Sequence, residues 1–147
     1  MDYNFRNITD NDYWYIYELK KNAYRKYVEA NFGAWDEVVQ REHFKKFFET
    51  YKKNTYIVQT NGKDIGFYND CFKENGNYEI GNICIIPQYQ GMGLGTKILK
   101  DIINKYRDYN IEIQYFKQNP VGNLYKRLGF EQVGETEYHY QMIKYHE

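Results

Sequence analysis

The apolar positions change period several times along the chain, and each change marks an element. The opening YNFRNIT reads as a first strand, and TDND after it offers a side-chain cap with an acid three residues on. Ile16, Leu19, Ala23, Tyr27 and Ala30 recur at helical spacing, which predicts one helix to about Asn31. FGAWDE breaks it at Gly33, and Val39, His43, Phe47 and Tyr51 form the stripe of a second helix. NTYIVQT and DIGFYND read as strands flanking NGKD, where Asn61-Gly62 is a strong hairpin signal. ENGN makes another turn, and YEIGNICII is the next strand. Leu94, Ile98, Ile102 and Tyr106, with Leu99 and Ile103, predict a helix directly after a run of glycines. IEIQYF reads as a buried strand. NPVGNLYKRLGF starts at a proline and ends at Gly129, so it predicts a short helix with a left-handed stop. FEQVGE and EYHYQMIKY predict a final hairpin. The order is β-α-α-β-β-β-α-β-α-β-β, a mixed α/β arrangement with no repeat, linker or low-complexity segment, so residues 1–147 read as a single domain.

Composition narrows this picture only slightly. A chain of 147 residues is long enough to bury a real core. No apolar run approaches the roughly 20 residues of a membrane helix, and the N-terminus does not resemble a signal peptide. Lys+Arg and Asp+Glu are balanced at 20 each, which argues against nucleic acid or an anionic membrane as partner. Cys71 and Cys84 form no metal or redox motif and read as ordinary thiols of a cytoplasmic protein. The 18 tyrosines accompany a chain rich in Lys, Asn and Ile, a bias that AT-rich codons explain without a stacking platform.

The stretch IIPQYQGMGLGTKIL, Ile85 to Leu99, carries the candidate chemistry. Glycines stand at every second position, Gly91, Gly93 and Gly95, where a strand gives way to a helix. A helix start offers unpaired N–H donors and a partial positive charge, so phosphates bind there readily. The plainer reading is a glycine-rich turn with no ligand. Two nucleotide motifs fail on spacing. A P-loop requires Gly-Lys-Ser/Thr, whereas Thr96 precedes Lys97 here. The dinucleotide fingerprint requires a third glycine where Thr96 stands.

Gln90-Gly91-Met92-Gly93-Leu94-Gly95 resembles the Q/R-x-x-G-x-G/A signature of the GNAT superfamily of acetyl-CoA-dependent N-acetyltransferases. A second landmark about 30 residues on is similar to that family's N…LY…GF helix: Asn119, Leu124-Tyr125 and Leu128-Gly129-Phe130. The resemblance implies a mixed, mostly antiparallel sheet of about seven strands with four helices, splayed between the fourth and fifth strands. It implies that N–H groups from Gly91 to Thr96 hold the pyrophosphate of coenzyme A. It further implies that the strand Ile83-Cys84-Ile85 pairs with the pantetheine amides, and that Asn119 contacts that arm or orders its own loop. Acetyl-CoA enters as co-substrate, and no metal is called for. Tyr125 takes the family's general-acid position; the plainer reading is that it packs, as other tyrosines do. Glu79 lies 11 residues before Gln90, the carboxylate-base position of the histone-acetylating branch. It is equally readable as a solvated strand-edge glutamate. His139 and His43 are reserves, and a lone histidine is more often structural.

Energetics explain why a base is needed. An acceptor ammonium of pKa about 10.4 pays roughly 4.6 kcal/mol to reach its free-base form at pH 7. A thiol pKa near 8.5 leaves at most roughly 2 kcal/mol for protonating the departing sulfur. Glu29, Phe32, Trp35 and Asp36 lie in the turn that walls the acceptor pocket in this family. An aromatic wall with nearby acids suits a cationic amine, while the plainer reading has Trp35 anchoring the turn. The acceptor is a small-molecule or peptide amine, and a homodimer is an assembly open to the chain. The competing class is an acyl-CoA-binding sensor without catalysis.

Overall fold

The computed structural model describes residues 2–147. Seven strands take the order β1-β2-β3-β4-β5-β7-β6. They are β1 (Asn4–Asn7), β2 (Thr55–Thr60), β3 (Lys63–Phe72), β4 (Tyr78–Ile85), β5 (Ile111–Phe116), β6 (Glu131–Glu135) and β7 (His139–Lys144). The helices are α1 (Tyr13–Phe32), α2 (Glu37–Tyr51), α3 (Leu94–Lys105) and α4 (Gly122–Arg127). This is the predicted order of elements. The pairs β1–β2, β2–β3, β5–β7 and β6–β7 are antiparallel, and β4–β5 is parallel. The chain divides into two compact units. Among the described residues the first comprises 2–70 and 82–95, the second 71–81 and 96–147.

In the first unit, Ile16, Tyr17 and Leu19 of α1 meet Phe44 and Phe48 of α2, Ile57 of β2, Phe67 of β3 and Cys84 of β4 in one core. The Asp36 carboxylate caps α2 by accepting from the Val38 and Val39 N–H groups at 3.0 and 3.2 Å. The buried stripe of α2 differs from the predicted one. Val39 and His43 are exposed, Phe47 and Tyr51 are half-buried, and Phe44 and Phe48 face the core. One residue of rotation, about 100°, separates the two stripes. The larger aromatic surface decides it: Phe44 and Phe48 each meet the Tyr13 ring edge-on at 4.9 Å. Asn61 and Gly62 both take positive φ, 50° and 75°, which closes the β2–β3 hairpin as a two-residue turn.

Arg6 ties the ends of this unit together. Its guanidinium donates two bonds of 2.9 Å to Asp12, at the start of α1, and one of 2.8 Å to Asp64 of β3. Asp12 also accepts from the Thr9 N–H at 2.9 Å, the expected acid of the cap. Hydrogen bonds from Arg6 hold both carboxyls below the usual aspartate range. A carboxyl depressed in the folded state contributes stability that is present above about pH 4 and disappears as pH falls through the folded value. Urea unfolding of the parent should therefore lose stability on acidification below about pH 4. In Arg6→Ala the stability at neutral pH should drop and the loss on acidification should shrink; an unchanged acid slope in that variant refutes the assignment.

In the second unit, Tyr78 of β4 is fully buried and stacks on Tyr106 beyond the end of α3, ring centroids 3.8 Å apart. Ile98, Leu99 and Ile102 of α3, Ile111 and Ile113 of β5, Phe130 and Met142 are also buried. The parallel register pairs Tyr78 with Ile111 and Glu79 with Glu112, at the N-terminal ends of both strands.

Candidate functional site

The glycine run forms an exposed loop leading into α3. The Gln90 side-chain amide donates to the Ile85 carbonyl at 2.7 Å, which ties the loop to the end of β4. Gly91 and Gly93 each have φ +76°, a conformation that disfavours any side chain, so backbone geometry alone accounts for glycine at both. Gly95 is different. Its φ is not in the left-handed region, and a Cβ built there meets nothing within 4 Å. Glycine at 95 therefore answers no need inside the protein. As first residues of α3, Leu94, Gly95 and Thr96 carry N–H groups without partners inside the helix. Met92 is 59% exposed, Leu94 is buried and Thr96 half-buried.

Along β4, Ile83 and Ile85 are half-buried and Cys84 is buried. The Cys84 thiol lies 3.8 Å from the Tyr24 hydroxyl, and burial pushes its pKa up to about 11, so it is an inert core group. Its carbonyl occupies the space beside Gly66: a Cβ on Gly66 would lie 2.2 Å from the Cys84 oxygen. At Asn82 the backbone N–H donates to the Asn69 side-chain carbonyl at 2.8 Å, a contact that no periodicity announces.

The turn expected to wall the acceptor uses its charged groups internally. Glu29 pairs with Arg25 at 2.9 Å, and Asp36 caps α2. Trp35 packs against the core and donates to Glu37 at 3.2 Å, so the anchoring reading of Trp35 is the one the structure supports. Phe32 is exposed. Glu37, not singled out by the sequence, also accepts from Tyr17 at 2.6 Å and pairs with Lys21 and Arg41. Hydrogen bonds led by that from Lys21 bring its pKa down to about 2. Lys20 is a second unforeseen group. Its ammonium lies 3.8 Å above the Phe47 ring, and burial lowers its pKa to about 8. His43, the first-unit histidine, is exposed on α2.

The remaining expected residues lie in the second unit. Tyr125 on α4 is half-buried, its ring 5.6 Å from Tyr115 and 5.9 Å from Phe130. Gly122 permits this packing, because a Cβ there would meet the Tyr115 hydroxyl at 2.2 Å. Asn119 accepts from the Val121 N–H at 3.1 Å. Glu79 is half-buried and lies 3.7 Å from the Lys73 ammonium, which bonds Glu112 more closely at 2.8 Å. His139 is half-buried on β7 and stacks on Phe116 at 4.4 Å; burial lowers its pKa. Among the described residues, no group of His, Cys, Asp and Glu could hold a metal ion, and no helix is long and apolar enough to cross a membrane.

Comparison with known proteins bears on the fold and the family. The chain is 27% identical over 97% of its length to an uncharacterised N-acetyltransferase of Methanocaldococcus jannaschii, 66% of which is covered. It is 33% identical over 40% of its length to an N-alpha-acetyltransferase of Sulfurisphaera tokodaii, 38% of which is covered. It thus spans less than two thirds of either relative. Among solved structures, the PaiA N-acetyltransferase of Thermoplasma acidophilum in complex with coenzyme A shares the fold at TM-score 0.72 and 16% identity, covering 99% of this chain and 100% of that one. An acetyltransferase of Thermus thermophilus matches at TM-score 0.74 and 10% identity, covering 98% and 97%. Residues 52–132, more than half of the chain, match the family model of the acetyltransferase (GNAT) domain, and the chain belongs to that family.

Proposed function

We propose that residues 1–147 work as one acetyl-CoA-dependent N-acetyltransferase domain, moving the acetyl group to a primary amine by direct attack. The observation that carries this reading is Gly95, a helical glycine with open space around it and no conformational need to be glycine. A bound pyrophosphate lying against the helix start supplies the missing reason. The N–H groups from Gly91 to Thr96 would hold that pyrophosphate, with Gln90 fixing the loop. The edge of Ile83-Cys84-Ile85 would take the pantetheine amides, and Asn119 would order the loop before α4.

Tyr125 would give its proton to the departing thiolate. A phenol in general, with a pKa of about 10, holds its proton at neutral pH and can release it as charge grows on a nearby sulfur. At most roughly 2 kcal/mol is available from that step, so Tyr125→Phe should slow turnover about 10- to 100-fold without abolishing it. Acetyl-CoA affinity should change little, because the ring keeps its packing on Tyr115 and Phe130. Steady-state kinetics with the chemical step limiting decide this; full activity in Tyr125→Phe refutes the role. Glu79 and His139 are the candidates of the second unit for accepting the acceptor's proton.

The experiment that tests the proposal as a whole is thiol release from acetyl-CoA across a panel of small amines, amino acids, aminoglycosides and peptide N-termini. Release with at least one amine supports acetyl transfer. Acetyl-CoA binding without release on any of them points instead to an acyl-CoA sensor.

A further inference from the structure

We propose that His139 is the general base that removes the proton from the acceptor amine. The inference rests on the acetyl-transfer reading above and deepens it. Successive residues of a strand face opposite sides of the sheet. Tyr115 of β5 faces α4, where it meets Gly122 and the ring of Tyr125. Phe116, the next residue, therefore faces the other side. Its register partner is His139, and the two rings stack. Tyr125 and His139 thus lie on opposite faces of the sheet at the C-terminal end of β5.

Direct attack on a thioester is compatible with that separation. The amine approaches the carbonyl carbon on one side while the carbon–sulfur bond breaks on another, so the base and the acid serve different sides. His139 takes one proton from the ammonium. The freed lone pair forms the carbon–nitrogen bond, and the carbon–sulfur electron pair passes to sulfur. Tyr125 protonates the sulfur and recovers a proton through solvent from the nitrogen as it becomes an amide. His139 then loses its proton to water.

The competing carboxylate is placed less well. Glu79 pairs in register with Glu112, four residues before Phe116 and about 13 Å along the strand. Lys73 already holds it in an ion pair. His139, in contrast, has no hydrogen-bond partner on either ring nitrogen among the described residues. Within its unit, the elements around it are β5, β6 and the β6–β7 turn. They bring Phe116 and Gln114, the mutually paired Lys117 and Glu135, and the exposed Glu137. Burial alone lowers its pKa from 6.5, which keeps the ring uncharged and able to accept a proton at neutral pH.

The test uses the full chain, acetyl-CoA and an amine that the panel identifies. The parent's kcat/KM should fall on the acid side with a midpoint below 6.5, and that midpoint should coincide with the titration of the His139 ring followed by NMR. His139→Gln should lower kcat/KM at pH 7.5 about 100-fold and abolish the acid limb, with the acetyl-CoA dissociation constant changed less than twofold. Added imidazole should restore part of the turnover of His139→Ala. A parent-like rate and acid limb in His139→Gln overturns the inference. So does loss of that limb in Glu79→Gln while His139→Gln keeps it. If neither His139 variant folds, the parent's limb and NMR titration still decide, and midpoints more than about one unit apart overturn the assignment. In these outcomes amine-dependent thiol release persists, so acetyl transfer itself stands. Absence of release from the parent on every amine overturns both.

Discussion

Replacing Gly95 by valine should raise the acetyl-CoA dissociation constant by about 10²–10⁴-fold while leaving the melting temperature at or above that of the parent. The structural half of this expectation comes from the open space around Gly95 and its place in the first turn of α3. A Cβ there collides with nothing, and a glycine in a helix is less favourable than most replacements by several tenths of a kcal/mol. The binding half comes from the approach of phosphate to the helix start. Charge-assisted hydrogen bonds of this kind contribute about 1.5–3 kcal/mol each, so a branched side chain that displaces two of them removes about 3–6 kcal/mol. Gly91 and Gly93 are poorer places for the experiment, because at φ +76° any side chain strains the backbone whatever the ligand does. Gly95→Ala is the internal control and should cost far less, since a single methyl group displaces less at the helix start than a branched side chain. Calorimetric titration with acetyl-CoA and a thermal melt check both halves. A folded Gly95→Val that binds like the parent overturns the assignment of the loop.

Replacing Gly66 by alanine should destabilise the protein by more than about 3 kcal/mol, a large part of the stability of a typical domain. Added methyl groups in a packed interior usually cost 1–3 kcal/mol because side chains give way. Here the new Cβ would lie 2.2 Å from the Cys84 carbonyl oxygen and 3.2 Å from its carbonyl carbon. Both atoms are backbone, so β3 and β4 must part. The local pairing leaves little freedom. Val58 pairs with Gly66 beside a register shift, and the Ile86 N–H donates to the Ile65 carbonyl at 2.9 Å. Urea unfolding measures the change directly. A stability within about 1 kcal/mol of the parent refutes the close approach of the two strands. Because Cys84 lies in the segment proposed to meet pantetheine, the same variant should also weaken acetyl-CoA binding.

The two motifs were legible in the sequence because their causes are local. A left-handed turn favours glycine, and next asparagine, wherever it occurs, and Gly91, Gly93 and Gly129 show it with φ of 76°, 76° and 99°. Asn61-Gly62 announced its hairpin for the same reason. The helical stripe of α3 was read with equal success, since Leu94, Ile98, Leu99 and Ile102 are all buried. The stripe of α2 was misread because Val39, His43, Phe44, Phe47 and Phe48 allow two neighbouring faces. Only the rings of Tyr13 and Tyr17 choose between them.

The sequence by itself determined the order of elements, the glycine loop, the α4 landmark and, through them, the family. Each depends on backbone conformation or on spacing within one element. The tertiary structure decided what each charged or aromatic side chain does. It gave Trp35 to the core and Glu79 to a pair with Lys73, and it set His139 on Phe116 across the sheet from Tyr125. It also separated Gly66 and Gly122, which make room for backbone and ring, from Gly95, which makes room for nothing in the protein. Such roles depend on partners distant in the chain, brought close only when strands pair in register, and no local pattern encodes that register.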